Sequence, residues 1–212
     1  HHFHTHFNLV DRGKPICPVF LPAPGDHNVR NALCAIGASS LAGVSLTDAA
    51  AALSGFQLPR RRFQLLEENG VTVVDDYAHL PEEIEATLQA IRDGWDGRRI
   101  VAIFQPHRYS RTQAIGAEFG DAFRQADTVI VTSIYPASEK PIPGVSSREI
   151  VKAIGHSTDA ELRFIRSKEE VVSFLKGYVK PEDFIISFGA GDIWTVTEEL
   201  SCFLKKGRFC TV

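Results

Sequence analysis

The sequence predicts an α/β fold built on a doubly wound, mostly parallel sheet. Three observations carry that reading. From "VTVVDDY" onward, short apolar runs alternate with amphipathic stretches, the pattern of successive βαβ units. One run, "RRIVAIFQP", has the continuous apolar core of a strand covered on both faces. Four polar clusters, "DDYAH", "QPHRYSRT", "IYPASEKPI" and "GAGDIW", each follow an apolar run. Right-handed crossovers therefore gather all four on the carboxyl edge of one sheet, where such folds bind ligands.

The elements follow in order. "FNLV" and "ICPVFL" flank the turn "DRGK" and read as a hairpin. The four histidines among the first six residues are either a tag remnant or native strand, and alternation of Phe3, Thr5, Phe7 and Leu9 favours the strand. No acid or cysteine lies near those histidines, so no metal site is expected there. "PAPGDHNVRNALCAIGASSLAG" is a loop and a helix, with Asp26 or Asn28 as cap, Ala32, Leu33, Ala35 and Ile36 as buried face, and Gly43 as stop. "SLTDAAAALSGF" is a shorter helix with Thr47 as cap. "QLPRRRF" breaks the pattern with a proline and three arginines and reads as a domain boundary.

After it comes the strand "VTVVDDY", then the helix "PEEIEATLQAIRDG" with Pro81 in its first turn and acids at its positive end. "RTQAIGAEFGDAFRQA" is read as one helix between "RRIVAIFQP" and the strand "DTVIVTSIY". "SSREIVKAIG", "ELRFI", "KEEVVSFLKGYV", "DFIISFG" and "DIWTVTEELSCFLKK" continue as helix, strand, helix, strand and helix.

Composition narrows the function classes. The chain has 212 residues, 44% hydrophobic and 23% charged, which suits a globular protein of one large domain or one and a half small ones. A net charge of -3 gives no footprint for nucleic acid or an acidic membrane surface. No apolar run nears the roughly 18 residues of a membrane span. "HHFHTHFNLV" lacks the basic start and apolar core of a signal peptide. Cys17, Cys34, Cys202 and Cys210 form no Cys-x-x-Cys pair, and a reducing cytoplasm is the expected location. Methionine is absent, so the chain is expected to be part of a longer protein.

Within the clusters, Arg108 and Arg111 stand three apart at a helix start, and the pair is either an anion site for carboxylate or phosphate or ordinary solvated charge at a helix start. His107, Tyr109 and Thr112 crowd the same turn. His79, beside Asp75, Asp76 and Tyr77, can bind a substrate carboxylate, act as a base or cap the helix. Asp76 suits a sugar hydroxyl or a helix cap. "GAGDIW" is either a turn offering amide donors to a ligand or a tight structural turn. It lacks the third glycine of a dinucleotide fingerprint, and no Gly-x-x-x-x-Gly-Lys-Ser/Thr loop occurs. "RRRF" at the boundary is a phosphate contact or ordinary solvated charge.

In this order and spacing, "PGDHNVRNALCAIGAS", "RRRF", "DDYAHLPEEIEATL", "FQPHRYSRT", "IYPASEKPIPGVS" and "GAGDIW" resemble the Mur ligases, over nearly the whole chain from about Phe7 to Leu204. The resemblance implies that residues 1–58 are the tail of a central ATP-binding domain and 59–212 a C-terminal Rossmann-like domain. It implies ATP-dependent joining of L-alanine to UDP-N-acetylmuramate through an acyl phosphate. ATP and Mg2+ would be cofactors, with the phosphate loop and most metal ligands upstream. The N-terminal and central domains would be partners in the same protein. No catalytic or metal residue is assigned within this chain.

By the same resemblance His27 and Asn28 meet the adenine, Arg61 or Arg62 the phosphates, and Asp76 the ribose. Tyr77, His79, Arg108 and Arg111 hold the amino acid, with the arginines on its carboxylate. The family usually reads "DDYAHHP", and this chain has Leu80 at the second histidine. Two alternatives stand beside this reading: recycling of a murein tripeptide by the same chemistry, and a nucleotide-binding module without catalysis.

Overall fold

The computed structural model describes residues 3–67 and 70–206. His1, His2 and Cys210 lie outside the described residues. The chain divides into two compact units, His1–Pro59 with Gln89–Asp96, and Arg60–Leu88 with Gly97–Val212.

The first unit holds the antiparallel hairpin β1 (Thr5–Asp11) and β2 (Lys14–Leu21), then α1 (Asp26–Leu41) and α2 (Leu46–Ala52). Arg12 and Gly13, at φ 47° and 80°, make the tight turn that its "DRGK" sequence calls for. Leu9, Val19, Ile36, Ala49 and Ala50 form the small core. Only part of the expected α1 face is covered. Ala32 and Ile36, one turn apart, are buried, whereas Leu33 and Ala35 are exposed. Residues to either side of a buried i, i+4 pair point about 100° away from it.

Two helix caps differ from expectation. Gly25, at φ 90°, is the N-cap of α1, Asp26 is already helical, and Asn28 turns its amide onto the Pro24 carbonyl at 2.7 Å. A Cβ on Gly25 would come within 2.7 Å of Ala90, so glycine is required there. In α2 the cap is Ser45, whose hydroxyl accepts from the Asp48 N–H, and not Thr47.

The second unit is the six-stranded sheet, in the order β3-β4-β8-β5-β6-β7. Its strands are β3 (Gln64–Glu67), β4 (Thr72–Asp76), β5 (Ile100–Phe104), β6 (Thr128–Val131), β7 (Glu161–Phe164) and β8 (Phe184–Phe188). All pairs are parallel except β3 with β4. That antiparallel edge strand was not foreseen. "QLLE" has no clear alternation, and its arginine-rich flank reads as a boundary.

β4, β5 and β8 are buried at every position, as the apolar runs require of central strands. One face packs Val73, Val101, Ile103 and Ile185 against α7 (Lys168–Tyr178) and α8 (Trp194–Lys205). On the other, Phe104 meets Phe119 and Phe123, and Phe123 meets Phe188. Fully burying each such side chain contributes about 1.5–3 kcal/mol.

The expected single helix after β5 is broken. It forms α4 (Tyr109–Ile115), a 3-10 turn (Gly116–Glu118) and α5 (Phe119–Ala122). Gly116 and Gly120 weaken it, and Gly120 sits where a Cβ would meet the Ala153 carbonyl oxygen at 3.0 Å. α6 (Ser147–Ser157) precedes β7, and α3 (Pro81–Gly94) follows β4. Among the described residues no helix is long and apolar enough to cross a membrane.

Candidate functional site

The parallel sheet sets the site. The carboxyl ends of β4, β8, β5 and β6 are adjacent, so Asp75–Leu80, Gly189–Ile193, Gln105–Arg111 and Thr132–Glu139 all emerge on one edge. The four clusters are thus brought to one sheet edge, as the alternating pattern predicted.

β4 ends in two buried acids with different tasks. Asp75 accepts from the Arg61 Nε at 2.9 Å and from the Ser187 hydroxyl at 2.6 Å. Asp76 accepts the Phe63 N–H at 2.9 Å and the Ala78 N–H at 2.7 Å, one on each oxygen. Burial pushes the Asp76 carboxyl up to about 6, against those two N–H bonds and the nearby Arg62 charge. Asp76 therefore ties the 61–63 segment to the start of the next loop.

The two arginines proposed for phosphate separate cleanly. Arg61, at φ 62°, spends its whole guanidinium inside the protein. Besides Asp75, its Nη1 donates to the Gly191 carbonyl at 3.0 Å and its Nη2 to the Gly189 carbonyl at 2.7 Å. Arg62 is exposed, lies over the Tyr77 ring at 5.4 Å and has Glu83 at 3.8 Å. Arg62 is the one with donors to offer a ligand.

That arrangement also decides the reading of "GAGDIW". Its carbonyls turn inward to Arg61, and the Asp192 N–H donates to Gln105 Oε1 at 3.1 Å. Gln105 Nε2 returns a bond to Asp192 at 2.9 Å, and Lys168 pairs with the same carboxylate. A Cβ at Gly191 would come within 2.5 Å of Gln105 Oε1 and 2.6 Å of the Tyr135 ring. The glycines serve close packing of the turn, which is the structural alternative.

A row of rings crosses the edge. Tyr77 meets His79 edge-on at 5.3 Å, His79 meets His107 at 6.1 Å, and His107 stacks on Tyr135 at 5.6 Å. Partner chemistry fixes both neutral imidazole tautomers. The His79 Nδ1 lies 3.0 Å from the Tyr77 carbonyl, which can only accept, so Nδ1 carries the proton and Nε2 is an acceptor. The His107 Nδ1 lies 3.2 Å from Arg111 Nη1, which can only donate, so its proton sits on Nε2. Burial lowers the His107 pKa, helped by the charges of Arg111, His79 and Arg108.

Arg108 and Arg111 do not share a helix face as their spacing implied. Arg108 precedes α4, at φ 74°, half exposed and 3.8 Å from Glu139, while Arg111 turns back to His107. The sequence placed acids at the start of α3 without singling out Glu83. Its Oε2 accepts the N–H groups of His79 and Leu80 at 2.9 and 3.2 Å, which caps α3, and lies 3.5 Å from the His79 Nδ1. An acid three residues past an N-cap was the available signal. Leu80 is half-buried and supplies that cap through its backbone alone, so the departure from "DDYAHHP" leaves the helix start intact. His27 and Asn28 stand at the start of α1, in the first unit. Among the described residues, no three His, Cys, Asp or Glu side chains are grouped to hold a metal ion.

Comparison with known proteins identifies the family. The "Mur ligase, glutamate ligase domain" family matches residues 61–191. UDP-N-acetylmuramate--L-alanine ligase of Pelotomaculum thermopropionicum is 45% identical over 189 residues, 89% of this chain and 41% of its own length. The enzyme of that name from Nitratidesulfovibrio vulgaris is 43% identical over 191 residues, 90% of this chain and 42% of its own. The chain thus spans about two fifths of these curated relatives. Among solved structures, UDP-N-acetylmuramate-alanine ligase MurC from Thermotoga maritima superposes with a TM-score of 0.81 at 27% identity, covering 98% of this chain and 44% of that one. A parallel sheet with its polar clusters on one edge, matched by a family domain and by long stretches of identity, places this chain in the Mur ligase family.

Proposed function

We propose that this chain is the amino-acid-presenting part of an ATP-dependent ligase that joins L-alanine to UDP-N-acetylmuramate. The observation that carries the proposal is the meeting of Arg108, Arg111, His79 and His107 at the carboxyl edge, where two guanidinium cations and two imidazoles can receive an amino acid. The names of the relatives that are 43–45% identical support the choice of substrates. In this reading residues 1–58 belong to the nucleotide-binding domain and 59–212 form the C-terminal domain. The sugar nucleotide and the phosphate loop belong to the part of the relatives that the chain does not match. The setting is peptidoglycan precursor synthesis in the cytoplasm.

The chemistry follows from the groups. Arg108 and Arg111 take the carboxylate of the amino acid by charge-assisted hydrogen bonds. That leaves the amine directed at the muramate acyl phosphate formed from ATP, and phosphate departs from the tetrahedral adduct. His79, with its proton held on Nδ1, offers Nε2 to an amine proton. Tyr77 packs beside it, and Arg62 over Tyr77 is the phosphate contact. His27 and Asn28 are the adenine contacts. Asp76, the ribose candidate, keeps one free lone pair on each oxygen, but its burial favours the backbone role described above. For Mg2+, the described residues offer no group of three His, Cys, Asp or Glu side chains.

The test uses a hybrid ligase, in which this chain replaces the segment it matches in the Pelotomaculum thermopropionicum relative. With ATP and UDP-N-acetylmuramate it should form the L-alanyl product, and it should prefer L-alanine to a murein tripeptide. Preference for the tripeptide would move the chain to the recycling reaction. Calorimetry of the 212-residue chain alone should show no tight ATP or ADP binding, whereas tight binding without product formation by the hybrid would favour a nucleotide-binding module.

A further inference from the structure

The proposed function gives no residue to the loop after β6, "IYPASEKPI". Its backbone is unusual. The Glu139 N–H donates to the Pro136 carbonyl at 2.9 Å and closes a four-residue turn. The two central residues, Ala137 and Ser138, lie at φ 47° and 70°. Turns of this kind normally use Asn-Gly or Gly-Gly, because a Cβ is disfavoured at both positions. Such strain persists only where surrounding contacts over-determine it, and it gathers at functional sites.

Here the contacts belong to Glu139. Its Oε2 accepts the Ser110 N–H at 3.0 Å, its Oε1 accepts the Ser110 hydroxyl at 2.6 Å, and Arg108 Nη1 stands 3.8 Å from Oε1. Arg108 is itself strained, at φ 74°, and its N–H donates to the Tyr135 carbonyl at 2.8 Å. Two strained turns are thus fastened to each other, and the carboxylate is the link at their far end. We propose that Glu139 is a positioning residue: it holds the Arg108 guanidinium and the first turn of α4 in the orientation that meets the carboxylate of the incoming amino acid.

The inference rests on the reading of Arg108 as a carboxylate ligand. It also has a rival with the opposite sign, because a carboxylate beside Arg108 can act as a competing anion. The geometry favours positioning. Both Glu139 oxygens are engaged by Ser110, and the arginine contact runs through one nitrogen, which leaves the remaining donors of a half-exposed guanidinium for a ligand. Replacing Glu139 should therefore weaken use of the amino acid, whereas removing a competitor would improve it.

Two measurements test this. In the 212-residue chain, side-chain 15N spectra should show a resolved, slowly rotating Arg108 guanidinium that becomes fast in Glu139→Ala while Arg111 is unchanged. In the hybrid ligase, Glu139→Ala should raise the KM for L-alanine about tenfold and change kcat less than about threefold, the signature of a lost binding interaction. Glu139→Gln, which keeps one acceptor for Ser110 without the charge, should fall between. Ser110→Ala, a milder change should Glu139→Ala fold poorly, should shift KM the same way by less. In an Arg108→Ala background, Glu139→Ala should add less than about twofold, because coupled residues are not additive. An unchanged or lowered KM in Glu139→Ala, or full additivity with Arg108→Ala, overturns the proposal. A hybrid without any L-alanine product would defeat the substrate reading instead, and the spectra of the chain alone would still decide whether Glu139 fixes Arg108.

Discussion

Arg61 and Arg62 are neighbours in sequence with opposite predicted consequences. Arg61→Ala removes a guanidinium that binds Asp75 Oδ2 at 2.9 Å and the carbonyls of Gly191 and Gly189 at 3.0 and 2.7 Å. Asp75 is 2% exposed and Arg61 about one fifth, so solvent replaces little of what is lost. Breaking a buried pair from one side costs about 3–5 kcal/mol, because the remaining charge is stranded. Each unpaired buried carbonyl adds about 1 kcal/mol or more. Relaxation of the glycine turn offsets part of this, so about 4 kcal/mol is expected in total. Arg62→Ala removes only an exposed contact and should change stability by less than about 1 kcal/mol.

The assay is urea denaturation of the 212-residue chain, with the slope checked for constancy so that the midpoint reports stability. The double variant Arg61→Ala/Asp75→Asn should recover part of the loss, because the stranded charge is gone. Equal effects of the two single substitutions, or a loss below about 1 kcal/mol for Arg61→Ala, would refute the assignment of Arg61 as a buttress.

Three further outcomes are expected. Asp76 is raised to about 6 in the folded chain, above an unfolded value of about 3.9, so protonation favours the fold. The stability it contributes is complete below pH ~4 and is lost as pH rises through ~6, about 3 kcal/mol in all; a carboxyl titration by 13C NMR with a midpoint below ~4.5 would contradict this. Gly191→Ala drives a Cβ against Gln105 Oε1 and the Tyr135 ring, and should lower stability by about 1–3 kcal/mol in the same urea assay. In proton NMR of the chain, His107 should titrate below the ordinary value of about 6.5 and carry its proton on Nε2 when neutral; a higher midpoint or an Nδ1 proton would remove the basis for its bond to Arg111.

Much of the fold was legible because parallel strands announce themselves. "IVAIF" and "FIISF" are apolar at nearly every position, and each is followed by glycine, proline or charge. The placement of the four clusters on one edge then follows from the strands running parallel. β3 was not legible, because an edge strand of four residues has no period to detect. The break between α4 and α5 was hidden for a different reason: Gly120 matters through its approach to Ala153, a contact distant in sequence.

The site followed the same division. Residue types and their gathering could be read, but hydrogen-bond direction could not. Arg61 and Arg62 are equivalent as letters, and only the Asp75 carboxylate and two glycine carbonyls tell them apart. Arg108 and Arg111 look like one helix face, yet Arg108 stands outside the helix at positive φ. Glu139 was passed over because it acts on Ser110, 29 residues away, which no local spacing reveals.

The central claim is that the carboxyl edge receives the carboxylate of an amino acid. Steady-state kinetics of the hybrid ligase with Arg108→Ala and with Arg111→Ala test it most directly. Each substitution removes a charge-assisted bond worth about 1.5–3 kcal/mol, so kcat/KM for L-alanine should fall roughly ten- to hundredfold. The KM for ATP should stay within about twofold of the parent value. Unchanged L-alanine kinetics in both variants would contradict the claim.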